Sequence, residues 1–168
     1  MREPPKSHAR LWLSLVLLGA YSVVVLLITM SPIPVDRRYR NAISTVLAIA
    51  HRHGVPEWFG YLPLEFTTNI AMFVPLGFLL ALALPRSLWW TVLLITPAFS
   101  AGIELTQGAF LPQRVADIGD VVANGIGGWL GAFASVALRA IVGARDKTVL
   151  RRAIWEYEQV RAARSLAE

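Results

Sequence analysis

Cysteine is absent from the 168 residues, so this chain has neither a disulfide framework nor a thiolate metal site available to it. Charge is scarce too. Asp, Glu, Lys and Arg make up 16% of the residues, against about 25% in an average soluble domain. Acidic residues are the rarer sign, 11 against 16 basic ones, for a formal net charge of +5. The basic residues sit mostly outside the apolar stretches, where charge is first a signal of membrane topology. Nucleic-acid binding is excluded, because no soluble domain is left to carry it. Histidine is confined to three positions. His51 and His53 are two apart and face different sides of a helix, and His8 lies in the polar N-terminal segment, so no histidine metal site is expected. No Ser-His-Asp pattern, phosphate loop or HExxH motif occurs, and there is no internal repeat or low-complexity tract. The length leaves room for one compact domain.

What the chain has in abundance is hydrophobic residues, 55% of the total, gathered into runs. A membrane-spanning helix needs about 20 mainly apolar residues. Four stretches qualify, at about 11–30, 66–84, 88–107 and 118–142. The first has a basic start (Arg2, Lys6, Arg10), like a signal peptide. Its apolar run, however, continues past Gly19 and Ala20 to Met30, beyond the usual signal core of about 7–15 residues, so it is expected to stay as a helix. The fold class is therefore all-α, a polytopic transmembrane bundle of four helices.

Four spans place both termini on one side. That side carries Arg2, Lys6, Arg10, Arg86, Arg139, Arg145, Lys147, Arg151, Arg152, Arg161 and Arg164. The other carries Arg37, Arg38, Arg40, Arg52 and Arg114. The excess predicts cytoplasmic termini. In the first loop, Tyr39, Ile43, Val46, Leu47 and Ala50 recur at helical spacing, and Gly54 suits a helix stop. This predicts an amphipathic helix at the membrane interface, beside an aromatic belt of Trp58, Phe59 and Tyr61. Trp89 and Trp90 read as interface anchors. The tail has a similar face in Leu150, Ile154, Tyr157 and Val160. The expected organisation is a four-helix transmembrane domain over residues 1–146 and a cytoplasmic amphipathic tail over 147–168.

Within the spans the informative residues are polar. An Asp or Arg at a helix centre costs about 2.5–3.5 kcal/mol on the insertion scale, so embedded polar groups tend to face the bundle interior and often serve a task. Asn69, Glu104, Gln107, Arg114, Asp117, Asp120 and Asn124 all fall toward one face of the membrane, given only the order of the spans. At about 100° per residue, Ser100, Glu104 and Gln107 share one side of the third helix. Asp117, Asp120 and Asn124 fall within an arc of about 60° on the fourth, with Gly128 and Gly131 continuing that side as small-residue packing positions. Asn69, Phe73 and Gly77 form a stripe on the second. Pro75 and Pro97 each free a backbone carbonyl, which needs a partner inside a membrane.

Three acids, Glu104, Asp117 and Asp120, stand against Arg114. The set could bind a divalent cation through oxygen ligands or a cationic ligand group. It could equally form a structural network in which Arg114 bridges two carboxylates.

These residues also carry a resemblance. The segments NIAMFVPLGFLL (69–80), SAGIELTQGAFLPQR (100–114) and DIGDVVANGIGGWLG (117–131) resemble the VanZ-like family of bacterial membrane proteins. That family's pattern has an Asn and Phe-x-Pro-x-Gly, then Ser-x-x-x-Glu-x-x-Gln, then Arg-x-x-Asp-x-x-Asp-x-x-x-Asn-x-x-Gly. It is matched at Asn69, Phe73, Pro75, Gly77, Ser100, Glu104, Gln107, Arg114, Asp117, Asp120, Asn124 and Gly127. The resemblance implies a cytoplasmic-membrane protein linked to the cell envelope, since the family is named for a member associated with teicoplanin resistance. Its partners would be the lipid bilayer and an envelope precursor or glycopeptide. Two other readings stay open. The polar cluster could only pack helices in a structural or partner-binding subunit, or the chain could be an intramembrane enzyme on a lipid-phosphate substrate, although no nucleophile is identifiable.

Overall fold

The computed structural model describes residues 9–31, 40–111 and 117–165. Five α-helices account for most of them: α1 (Ala9–Thr29), α2 (Arg40–Arg52), α3 (Tyr61–Ala83), α4 (Val92–Phe110) and α5 (Ile118–Ser165), with a 3-10 turn, Arg86–Thr91, leading into α4. Among the described residues, four helical stretches are long and apolar enough to cross a membrane: Leu11–Thr29, Tyr61–Ala83, Arg86–Phe110 and Ile118–Gln159. The outside of the bundle is apolar, with Leu13, Val16, Leu27, Leu94, Leu105, Phe133 and Ile141 exposed. In water so large an apolar surface would drive association; against lipid tails it is what the solvent requires. The chain is an all-α, multi-pass membrane protein.

The expected spans need adjustment at their ends. The second begins before Phe66, at Tyr61, because Pro63 falls in the first helical turn, where a missing N–H breaks no hydrogen bond. The third is preceded by the 3-10 turn and runs on to Phe110. The tail is helical, but it is not a separate element. α5 continues unbroken for 48 residues, roughly 72 Å at about 1.5 Å per residue, more than twice the ~30 Å hydrocarbon core of a bilayer. Past the fourth span no proline interrupts it, and Gly143 is carried within the helix.

α2 forms as the spacing predicts, with Ile43, Leu47 and Ala50 half-buried and Val46 exposed. Gly54 ends it at φ 96°. The Gly54 N–H donates to the His51 carbonyl and the Val55 N–H to the Ala50 carbonyl, the paired bonds of a Schellman stop that needs a left-handed residue. Nε2 of His51 lies 3.1 Å from the Phe59 carbonyl oxygen.

The spans pack around a central pair, α3 and α5, with α4 laid against α5 and α1 against α3. Glycines make the central contact close. A Cβ added at Gly77 would collide with the Gly128 backbone, one at Gly127 with the Ile70 carbonyl, and one at Gly131 with the Val74 carbonyl. Without a hydrophobic drive between helices in lipid, such close approach is how association is gained. Val25, Phe73, Leu76 and Ile103 form one apolar cluster joining α1, α3 and α4. Ala81, Val92 and Ala132 form a second toward the other end.

The proline break at Pro97 is resolved by a neighbouring helix. Pro97 frees the Leu93 carbonyl, which accepts from Nε1 of Trp129 on α5 at 2.9 Å. Next to the carbonyl that Pro75 frees, the Met72 carbonyl accepts from the Tyr21 hydroxyl of α1 at 2.9 Å.

Candidate functional site

Six of the seven polar residues singled out in the sequence are described, five on helices and Asp117 just before α5; Arg114 lies outside the described residues. The six are brought to one end of the bundle, the end opposite the turn between α3 and α4. Three spans and the start of α5 supply them, and all the pairings but the Asp117 cap reach from one span toward another.

The deepest contact joins α4 and α5. Nδ2 of Asn124 donates to Oγ of Ser100 at 2.8 Å. Asn124 is 3% exposed and Ser100 fully buried. Oδ1 of Asn124 is also buried and has no hydrogen-bond partner among the described residues. An unmet buried acceptor costs about 1–3 kcal/mol, so the floor of the cluster keeps one acceptor in reserve. One turn below, Thr96 is fully buried and returns its hydroxyl to the Val92 carbonyl at 2.9 Å.

Nearer the mouth, Nδ2 of Asn69 on α3 donates to Oδ1 of Asp120 on α5 at 2.6 Å. Oε2 of Glu104, which is 6% exposed, accepts from the Asp117 backbone N–H at 2.9 Å. Asp117 itself caps α5: its Oδ1 accepts from the Gly119 N–H at 2.7 Å, meeting one of the donors a helix start leaves unpaired. Asp117 is exposed, and Asp120 and Asn69 are half-buried. Asp120 sits in the first turn of α5, where a negative charge is favoured by the helix dipole. The cluster thus grades from an exposed carboxylate, through half-buried groups, to a closed floor.

Gln107 departs from the expected arrangement. It is 3% exposed, but its Nε2 donates to the Thr29 carbonyl of α1 at 2.7 Å. That carbonyl belongs to the last turn of α1, whose oxygens have no intrahelical donors. The first span is therefore tied into the polar end, which its uncharged sequence did not announce. A backbone acceptor leaves no residue signature, so nothing in the sequence could have located it. Ser100, in contrast, was visible in phase with Glu104.

The three acids meet separate donors. Among the described residues no three carboxylate or imidazole side chains come together as a group able to hold a metal ion. Glu104, Asp117 and Asp120 are instead engaged by N–H donors from Asp117, Gly119 and Asn69 respectively. Two of the acids, Glu104 and Asp117, meet backbone amides at the helix start, and Asp120 meets the side-chain amide of Asn69. What the arrangement offers is a set of acceptors, two of them half-buried or exposed carboxylates, suited to a ligand that presents N–H or O–H groups or a positive charge.

A family model described as VanZ/LLP1 matches residues 13–139, which reaches into all four spans and takes in every polar residue named above. The comparisons with curated proteins and with solved structures gave no match.

Proposed function

This chain belongs to the VanZ/LLP1 family, and from that premise we propose that it is a bacterial cytoplasmic-membrane protein whose polar site binds a donor-bearing group of a cell-envelope component. The observation that carries the reading is the graded acceptor set. Asp117 is exposed at the mouth, Asp120 half-buried, and Oδ1 of Asn124 unpartnered at the floor. A network serving only to hold helices together would use up its buried acceptors. In this reading the amines or hydroxyls of a lipid-linked precursor, or of a glycopeptide near it, meet Asp117 and Asp120. Asn69 and Asn124 orient them, Gln107 holds α1 against the site, and Arg114, in the connection before α5, supplies positive charge to a phosphate or carboxylate.

Asp117→Asn and Asp120→Asn test this cleanly. Asparagine caps helices as well as aspartate, and it keeps an Oδ1 for Gly119 or Asn69, so each variant loses charge and little else. Both are expected to accumulate in the membrane as the parent does, while the tolerance to teicoplanin that the parent confers on a sensitive host drops to the host's own level. Normal accumulation with unchanged tolerance would sink the proposal.

The structural alternative has its own support, since Asn69–Asp120, Asn124–Ser100 and Gln107–Thr29 all bridge helices. Strong destabilisation by every one of the cluster variants, with no ligand stabilising the parent, would favour it.

The orientation follows from the basic residues on the side of the termini and of Arg86. Both termini face the cytoplasm and the polar site opens outward. Reporter fusions at Met1 and after Ser165 are expected to read cytoplasmic, and an insertion in the α2 region external. A cytoplasmic α2 would reverse the orientation.

A further inference from the structure

Away from the polar site, at the opposite end of the bundle, a second chemical feature is built by residues the family pattern does not include. Arg86 opens the 3-10 turn between α3 and α4, and Arg139 lies on α5. With Trp89, Val136 and Ala140 they line one cavity of about 220 Å³. This is below the roughly 300–1,000 Å³ of pockets that enclose drug-sized ligands, and suits a headgroup fragment.

Arg139 does not simply extend into solvent, as a charge serving only topology could. Its Nη2 donates to the Leu82 carbonyl at 2.6 Å and to the Leu84 carbonyl at 3.1 Å, meeting oxygens that the end of α3 leaves without helical donors. The guanidinium is thereby held in place, with donors on its other nitrogens to spare. Arg86 adds a second positive charge whose field falls on Arg139, and it approaches α5 again at Gly143. No carboxylate lines the cavity. Two like charges held around one pocket, without an acid between them, are relieved by an anion. Val136, Ala140 and the Trp89 ring supply apolar wall beside the charges, and Leu88 and Trp90 are exposed on the same turn, as residues at the bilayer interface are.

We propose that Arg86, Arg139 and Trp89 form a binding site for the phosphate of an anionic phospholipid, in the leaflet on the side of the chain termini. The two guanidiniums take the phosphate oxygens, and the glycerol and first acyl carbons lie along Val136, Ala140 and Trp89. Basic pockets between spanning helices are a recurrent way of recognising such headgroups. The site stands apart from the polar cluster and does not depend on what that cluster binds.

The test uses the full chain purified in neutral detergent, with thermal stability followed while lipid is titrated. Phosphatidylglycerol is expected to stabilise the parent, and phosphatidylcholine to do so far less. Arg86→Gln removes a side chain with no role in ending α3, so it should melt as the parent does without lipid but bind phosphatidylglycerol about fivefold more weakly. Ala140→Glu, which places a carboxylate in the pocket while keeping both arginines, should erase the preference for the anionic lipid. Equal responses to the two lipids in the parent, or parent-like phosphatidylglycerol binding by both variants, would overturn the proposal. Inorganic phosphate protecting as well as the lipid at equal concentration would overturn the assignment to a lipid.

Discussion

Alanine at Gly131 is expected to cost the protein most of its folded population, while alanine at Gly102 costs nothing. The two glycines lie in spanning helices and differ only in what faces them. Around Gly102 nothing comes within 4 Å of where a Cβ would stand, and alanine is a better helix former than glycine by about 1 kcal/mol. At Gly131 the added methyl meets the Val74 carbonyl and the Phe78 nitrogen of α3. Overpacking costs about 1–3 kcal/mol when side chains can rotate aside. Backbone atoms cannot rotate aside, so the central helices must separate, and the penalty should reach or pass the upper end of that range. Separation would also undo the neighbouring approach of Gly77 to Gly128. Thermal stability in detergent, read from the fraction surviving size-exclusion chromatography, measures the difference. A Gly131→Ala protein that melts with the parent would show that α3 and α5 do not pack as closely as the structure has them.

Glu104→Ala is expected to be the most destabilising change among the polar residues, with Glu104→Gln close to the parent. The Glu104 carboxylate is almost wholly buried and accepts the Asp117 N–H, so it fastens the start of α5 to α4. Hydrogen bonds to charged groups contribute about 1.5–3 kcal/mol. Neutral side-chain bonds between membrane helices average about 0.6 kcal/mol, which is the scale expected for Ser100→Ala at the Asn124 contact. Glutamine keeps an acceptor at the same reach, and alanine leaves a buried N–H and a void. Melting temperatures of the three variants give the ranking directly. If Ser100→Ala matched or exceeded Glu104→Ala, the acceptor at position 104 would not be what secures the helix start.

The two largest effects differ in how far the sequence announces them. Gly128 and Gly131 are readable as small residues in phase with the polar stripe, yet only the structure shows that their partners are Gly77, Val74 and Phe78. Glu104 is readable as an embedded acid in phase with Ser100 and Gln107. Its own partner is a backbone N–H of the residue that caps the next helix, and a backbone group has no letter in a sequence. Gln107 makes the same point, since it turns to the end of α1 rather than to the acids. Trp129 carries no mark in the sequence of its part, which is to meet with its indole the carbonyl that Pro97 frees. The three acids read in the sequence as one set, and in the structure each meets a different N–H donor, two at the start of α5 and one from Asn69 of α3.

By itself the sequence determined that this protein crosses a membrane four times, that its polar residues gather toward one face, and where α2 stops. These outcomes are local. Whether a segment enters lipid depends on the hydropathy of about 20 consecutive residues, depth depends on the order of the spans, and a left-handed stop depends on one glycine. The tertiary structure alone decided which polar group meets which, that the first span is tied to the polar end, that the tail extends the fourth span, and that Arg86 and Arg139 share a cavity. Those outcomes depend on how helices are rotated and how closely they approach. In lipid that is set by close packing at glycine and by the need to satisfy every freed carbonyl, a condition met between segments far apart in the chain.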